Sequence, residues 1–174
     1  FVNGDTDQFE PNLYRGTQRA DPDERRGEML DQRLASDLIR WVHNQQAADP
    51  DKPSFAYLAP GSTHAPHQAP REYIARFRGA FDRGWDEERM RIYRRQLETG
   101  IIPAGTALTP RPDDIPAWED LEPRLQEYSA RAMEVAAAQL AFQDEQFGRV
   151  IDELERTGEF DNTLIMFISD NGAS

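Results

Sequence analysis

The sequence contains no cysteine, a single lysine (Lys52) and no long apolar run. The lack of cysteine excludes a disulfide framework, a thiolate metal site and a cysteine nucleophile within these 174 residues. No apolar run approaches the roughly 20 residues that a membrane-spanning helix needs. The chain begins with neither an initiator Met nor a signal-peptide pattern, and no compartment follows from these features.

The charge balance is strongly acidic. The net charge is −12, the pI is about 4.7, and 30% of the residues are charged. Phosphate groups repel such a chain, which argues against nucleic acid and anionic membrane surfaces as partners. Cation binding is compatible with the negative charge. The length suits one domain with a hydrophobic core.

Apolar periodicity divides the chain into helices and short buried strands. Helical spacing predicts helices at about 31–49, 71–77, 86–97 and 123–157. Short apolar runs predict strands at 55–59 and 164–168. The order helix, turn, strand therefore occurs twice, which indicates an α/β fold. Four prolines between 100 and 118 exclude regular structure there and predict a long ordered loop or a flexible insertion.

The last predicted strand is followed by two side chains that carry oxygen. Asp170 offers a carboxylate and Asn171 a neutral amide oxygen, and Gly172 lets the backbone turn away. Open α/β sheets keep their sites at such strand ends, and this pair suits a hard divalent cation. Asp-Asn-Gly is also a common turn sequence, so the pair by itself is consistent with half a metal site or with a plain turn.

A histidine loop follows the other predicted strand. His64 and His67 lie between Pro60 and Pro70, and the prolines restrict the backbone so that an imidazole is held in place for acid–base or anion-binding work. A structural or solvated histidine is the ordinary alternative. His43 lies off the apolar side of its helix and is predicted to face solvent without a function. The acidic residues at the start of the chain, including Asp7, are explained by Asx turns more simply than by a cation site.

Several motifs occur in a fixed order along the chain. A predicted strand runs into Gly-Ser-Thr-His-Ala-Pro-His-Gln-Ala-Pro at 61–70, and Phe-Asp-Arg-Gly-Trp-Asp follows at 81–86. Met-Glu-Val at 133–135 and Gly-Glu-Phe-Asp-Asn-Thr at 158–163 precede the final Ser-Asp-Asn-Gly at 169–172. This series, together with Gly-Asp-Thr-Asp-Gln at 4–8, resembles the central part of a bacterial arylsulfatase over nearly the whole chain.

The resemblance implies an alkaline-phosphatase-like α/β fold, with a mostly parallel sheet flanked by helices, and places 1–174 as the central part of a sulfatase catalytic domain, incomplete at both ends. It implies hydrolysis of small-molecule or carbohydrate sulfate esters by a formylglycine nucleophile, made from Cys or Ser in a CxPxR motif, beside calcium (Ca²⁺). At matching positions, Asp170 and Asn171 resemble the second pair of metal ligands. His64 resembles the histidine that contacts the sulfate and helps the leaving oxygen depart.

The sequence also departs from the family pattern. It contains no CxPxR, no paired Asp for the first half of the metal site, and its only lysine, Lys52, lies where no catalytic lysine of the family belongs. We therefore expect an internal piece of a longer sulfuric ester hydrolase, inactive as an isolated chain. Two alternatives remain: a phosphate or phosphonate ester hydrolase of the same superfamily, and a non-catalytic acidic binding module.

Overall fold

The computed structural model describes residues 6–21 and 23–169, and the described part is mainly helical. A small hairpin with strands of two residues each, β1 (Tyr14–Arg15) and β2 (Gln18–Arg19), precedes the first long helix, α1 (Leu30–Ala48). A short helix α2 (Arg71–Arg76), then α3 (Gly84–Glu98) and the long α4 (Pro123–Thr157) follow. Single 3₁₀ turns lie at Trp118–Asp120 and Phe160–Asn162. The four helices that periodicity predicts are thus present, with ends shifted by at most two residues.

Helix α4 organises the described part of the molecule. It begins with Pro123 in its first turn and ends at Gly158, which adopts a left-handed backbone (φ 77°) that favours glycine. At 35 residues it is about 50 Å long. Both α1 and α2 pack against it. Within the described ranges, no helix is both long and apolar enough to cross a membrane.

The core lies where α2 and the segment before it meet α4. Five buried residues form its centre: Met29, Ala69, Tyr73, Ala138 and Phe142. The rings of Tyr73 and Phe142 meet edge to face, with centroids 5.1 Å apart. Such pairs of aromatic rings stabilise a contact beyond the area they bury. This cluster fixes the position of the loop that ends at Pro70, directly before α2.

The proline-rich segment 100–118 is ordered against α3. The hydroxyl of Tyr93 donates to the carbonyl of Thr106 (2.5 Å), and the indole of Trp85 donates to the carbonyl of Pro116 (3.2 Å). The ring of Trp118 lies over Gly84, where a Cβ would come within 2.0 Å of it. Of the two structures predicted for this segment, the ordered loop is therefore the one observed.

The predicted strands at 55–59 and 164–168 do not form in the described part of the chain. Neither stretch pairs with another segment there, and the only sheet is the β1–β2 hairpin, in which Tyr14 lies opposite Arg19. A strand needs a neighbour for its backbone hydrogen bonds, which an apolar run cannot supply by itself. The apolar side chains of both stretches are consequently exposed, for example Tyr57 at 85% and Leu164 at 84%. The predicted parallel sheet is therefore not seen among residues 6–21 and 23–169.

Candidate functional site

His64 lies on the exposed side of the loop between Gly61 and Pro70. Its Nδ1 is 2.8 Å from the carbonyl oxygen of Ala65. Because a carbonyl oxygen only accepts, Nδ1 is the donor, and the neutral ring then carries its lone pair on Nε2. This bond orients the imidazole relative to the loop backbone.

The loop bearing His64 begins with a tight turn. The amide of His64 donates to the carbonyl of Gly61 (3.0 Å), which closes the turn over residues 61–64. A Cβ at Gly61 would approach Cδ2 of Leu30 to 2.6 Å, closer than real side chains come. Glycine therefore lets the turn press against the start of α1, and the position of His64 depends on that contact.

A buried carboxylate holds the first two residues of the turn. Asp31, in the first turn of α1, is 4% exposed. Its two oxygens accept one hydrogen bond each, from the amide of Gly61 (2.7 Å) and from the hydroxyl of Ser62 (2.5 Å). Burial raises the pKa of the Asp31 carboxyl, and the bonds from Ser62 and Gly61 oppose that rise because they stabilise the ionised form.

Helix α4 contacts the same turn from the other side. Gln139 is completely buried, and its Nε2 lies 3.5 Å from the carbonyl of His64, at the limit of a hydrogen bond. The backbone carbonyl of Gln139 lies 3.5 Å from the hydroxyl of Ser62. The turn is thus enclosed between a carboxylate on α1 and an amide on α4.

The second half of the loop is tied to the start of the chain. The side chain of Gln68 accepts from the amide of Gln8 and donates to Asp7, both at 2.7 Å. Asp7 also accepts from the amides of Phe9 and Glu10, so it forms the Asx-type turn that the sequence favours. The hydrogen bond from Gln68 lowers the pKa of Asp7, with help from these two amides.

Sequence reasoning predicts a role for His64 and does not predict the residues that hold its loop. Asp31 carried a signal, because it lies three residues before Leu34 and seven before Leu38, on the apolar side of its helix. A charged residue on an apolar face needs a specific buried partner. Ser62, Gln68 and Gln139 carried no comparable signal, since their partners come from distant parts of the chain.

The predicted metal ligands are not part of the described structure. Asp170 and Asn171 lie outside the described residues, as does Asp5. Within the described ranges, no group of three or more His, Asp or Glu side chains comes together to hold a metal ion. The structure therefore describes one of the three predicted site residues, His64. His67, three residues further on, is half-buried.

Comparison with known proteins assigns the family. Residues 3–174 match the family model described as Sulfatase, so the chain belongs to the sulfatase family. This membership implies the alkaline-phosphatase-like α/β fold.

Two curated relatives match most of the chain. It is 39% identical over 143 residues to an uncharacterised sulfatase of Schizosaccharomyces pombe, covering 80% of this chain and 25% of that protein. It is 38% identical over 140 residues to an arylsulfatase of Klebsiella aerogenes, covering 80% of this chain and 29% of that protein. The chain thus spans little more than a quarter of the length of these relatives.

Proposed function

We propose that this chain is the central part of the catalytic domain of an enzyme that hydrolyses sulfate esters, an arylsulfatase in the broad sense. The observation that carries the proposal is the anchored imidazole of His64, which the hydrogen bond between its Nδ1 and the carbonyl of Ala65 orients on an exposed loop. Membership of the sulfatase family and the match to an arylsulfatase support sulfate esters as the substrate class. The partner is accordingly a small-molecule or carbohydrate sulfate ester.

In this function His64 assists the departure of the leaving oxygen. Cleavage of the bond between sulfur and the ester oxygen leaves negative charge on that oxygen, and a protonated imidazole neutralises it by donating its Nε2 hydrogen. A histidine suits this role because it both gains and loses a proton near neutral pH. The side chain is exposed at the loop surface, where a substrate can reach it.

A divalent cation completes the proposed site, and we assign calcium to it. Asp170 and Asn171 would supply two of its ligands, because carboxylate and amide oxygens are the donors that a hard cation prefers. The cation would neutralise charge on the sulfate oxygens during hydrolysis. Two ligands cannot enclose calcium, which takes six to eight oxygens, so we expect only weak calcium binding by the isolated chain.

The nucleophile is not among these residues. The chain contains no cysteine and no CxPxR motif, and its single lysine, Lys52, precedes the predicted strand at 55–59. We therefore expect the purified 174-residue chain to show no turnover of an aryl sulfate. An activity test therefore requires a longer protein, expressed from the coding frame extended on both sides of this segment.

The test is an assay of the protein expressed from that longer frame. We expect hydrolysis of para-nitrophenyl sulfate and of phenyl sulfate, and we expect His64→Ala to lower kcat by about 10²-fold or more for phenyl sulfate. The loss should be smaller for para-nitrophenyl sulfate, because nitrophenolate is the better leaving group and needs less protonation. His67→Ala is the matched control on the same loop and should keep most of the activity.

Three results would contradict the proposal. Equal losses in His64→Ala for both substrates would remove the leaving-group role from His64. Faster cleavage of para-nitrophenyl phosphate than of the sulfate would replace sulfate hydrolysis by phosphate ester hydrolysis, a chemistry that the same superfamily supports. Absence of turnover with any ester would favour a non-catalytic acidic module.

A further inference from the structure

The carboxylate of Asp31 is the most unusual buried group in the described part of the chain. It is 4% exposed, and it forms no ion pair with a described Arg, Lys or His. A buried carboxylate is costly unless it is well hydrogen-bonded, and one without a cationic partner depends on neutral donors alone. For Asp31 those donors are the amide of Gly61 and the hydroxyl of Ser62.

Both donors belong to the turn that ends at His64. The amide of His64 donates to the carbonyl of Gly61, so a displacement of Gly61 displaces the backbone of His64. The imidazole is oriented in turn by its bond to the next carbonyl, that of Ala65. These hydrogen bonds, together with the backbone between Gly61 and Ala65, thus connect Asp31 to the ring of His64 without a described hydrogen bond between the two side chains.

The opposite side of the turn is fixed as well. Gln139 is completely buried beside the carbonyl of His64 and the hydroxyl of Ser62, and its Oε1 has no hydrogen-bond partner among the described residues. The two hydrogen bonds between Gln139 and the turn are at the 3.5 Å limit, whereas the two that Asp31 accepts are 2.5 and 2.7 Å. Because shorter, charge-assisted bonds are the stronger ones, Asp31 is the principal anchor of the turn.

We propose that Asp31 is a positioning residue for His64, acting through Gly61 and Ser62 to hold the imidazole against the leaving oxygen. This inference rests on the proposed role of His64 in sulfate ester hydrolysis. Asp31 touches neither substrate nor reacting atoms. Its removal should therefore affect the rate of the chemical step and leave substrate binding nearly unchanged, because a misplaced acid still permits binding.

The experiment is a double-mutant cycle in the protein expressed from the complete coding frame, with phenyl sulfate as substrate. We expect Asp31→Ala to lower kcat by about 10-fold to 100-fold, with KM changed by less than about threefold. In a His64→Ala background, Asp31→Ala should have less than about a twofold further effect, since the ring it positions is gone. Asp37→Ala is the matched control, because Asp37 lies on the same helix and its ion pairs are with Arg15, Arg25 and Arg40, none of which belongs to the His64 turn.

Milder variants keep the test valid if Asp31→Ala does not fold. Asp31→Asn retains an acceptor for Gly61 and removes the charge, and Ser62→Ala removes one bond and leaves the carboxylate. Each should lower kcat less than Asp31→Ala and should show the same dependence on His64. Circular dichroism of each variant checks that the helices are intact.

A spectroscopic readout tests the inference without relying on turnover. Nitrogen NMR of the His64 ring should report the Nδ1–H tautomer in the wild-type protein and a mixture of tautomers in Asp31→Ala. Additive losses in the cycle, together with an unchanged tautomer, would overturn the positioning role and leave the proposed function intact. A His64→Ala variant as active as wild type would instead overturn the proposed function itself.

Discussion

Glu153 of α4 joins the two longest helices through a hydrogen bond with His43 of α1. It accepts hydrogen bonds from Arg156 on its own helix and from His43 on α1. The bonds from Arg156, and then that from His43, lower the pKa of Glu153 from 4.5 to about 2. His43 was predicted to face solvent without a function; its side chain is exposed, and it contributes this link between helices.

This shift predicts how stability depends on pH. Because the folded-state pKa of Glu153 is below its unfolded-state value, its stabilising contribution is present above pH 4.5 and is lost as the pH falls toward 2. We expect wild type to exceed Glu153→Gln in urea midpoint at neutral pH, with the two midpoints converging near pH 2. Urea unfolding followed by circular dichroism at a series of pH values measures this.

The matched control is Glu155→Gln, an exposed glutamate two residues further along the same helix. Its difference from wild type should stay nearly constant over the same pH range. A constant gap for Glu153→Gln as well would show that Arg156 and His43 do not hold this carboxylate in solution.

At the scale of elements, the contact between α2 and α4 depends on one aromatic side chain. Tyr73 is 6% exposed, packs edge-on against Phe142, and has the guanidinium of Arg76 over its ring at 3.9 Å from the centroid. We expect Tyr73→Ala to lower the free energy of unfolding by about 3 kcal/mol, because a cavity remains where the ring packed. Urea denaturation followed by circular dichroism at 222 nm, the usual helix wavelength, gives the value.

Tyr128→Ala is the control of identical chemistry, since Tyr128 lies on α4 and is 72% exposed. Its effect should remain within about 0.5 kcal/mol, as for most surface substitutions. Equal losses in the two variants would mean that Tyr73 is not packed in the core.

The helices were predictable because their signals are local. Apolar spacing, Pro123 in a first turn and Gly158 after the last turn define α4 without reference to the rest of the molecule. The side that α4 buries was harder to predict. Leu140 has the helical spacing of Phe147 and Leu154, which predicts that it is buried, yet it is 52% exposed. Glu134 and Gln139 are buried instead.

Those buried polar side chains are explained by partners far away in sequence. Glu134 accepts from the amide of Gly79 (2.7 Å) and from Arg131, and Gln139 contacts the His64 turn. The prediction of strands at 55–59 and 164–168 was wrong within the described residues for a similar reason. Strand pairing depends on two segments, whereas apolar periodicity describes only one. His64 could be proposed from the sequence because its proline-bracketed loop is visible there. Asp31 was missed because its partners Gly61 and Ser62 lie 30 and 31 residues away.

At the scale of the whole molecule, two exposed apolar segments favour association between copies of the chain, and a large negative charge disfavours it. The segments at 55–58 and 164–168 expose Phe55 (82%), Phe167 (74%) and Ile168 (79%), and neither pairs with another segment in the described part. Extended apolar segments with unused backbone groups tend to pair with other chains. The net charge of −12 opposes such association through repulsion between copies.

We therefore expect the 174-residue chain to self-associate, and to do so more strongly as salt screens the repulsion. Sedimentation velocity should show larger species at about 0.5 M salt than at about 0.05 M, because the Debye length falls from roughly 14 Å to roughly 4 Å. Replacing Phe55 and Ile168 by Lys should suppress the larger species, since lysine protects exposed strand edges. Ile101→Lys, at an exposed residue (71%) just after α3, should leave association unchanged. A monomer at both salt concentrations, with a sharp and reversible thermal transition, would instead identify a self-contained module whose exposed segments need no partner.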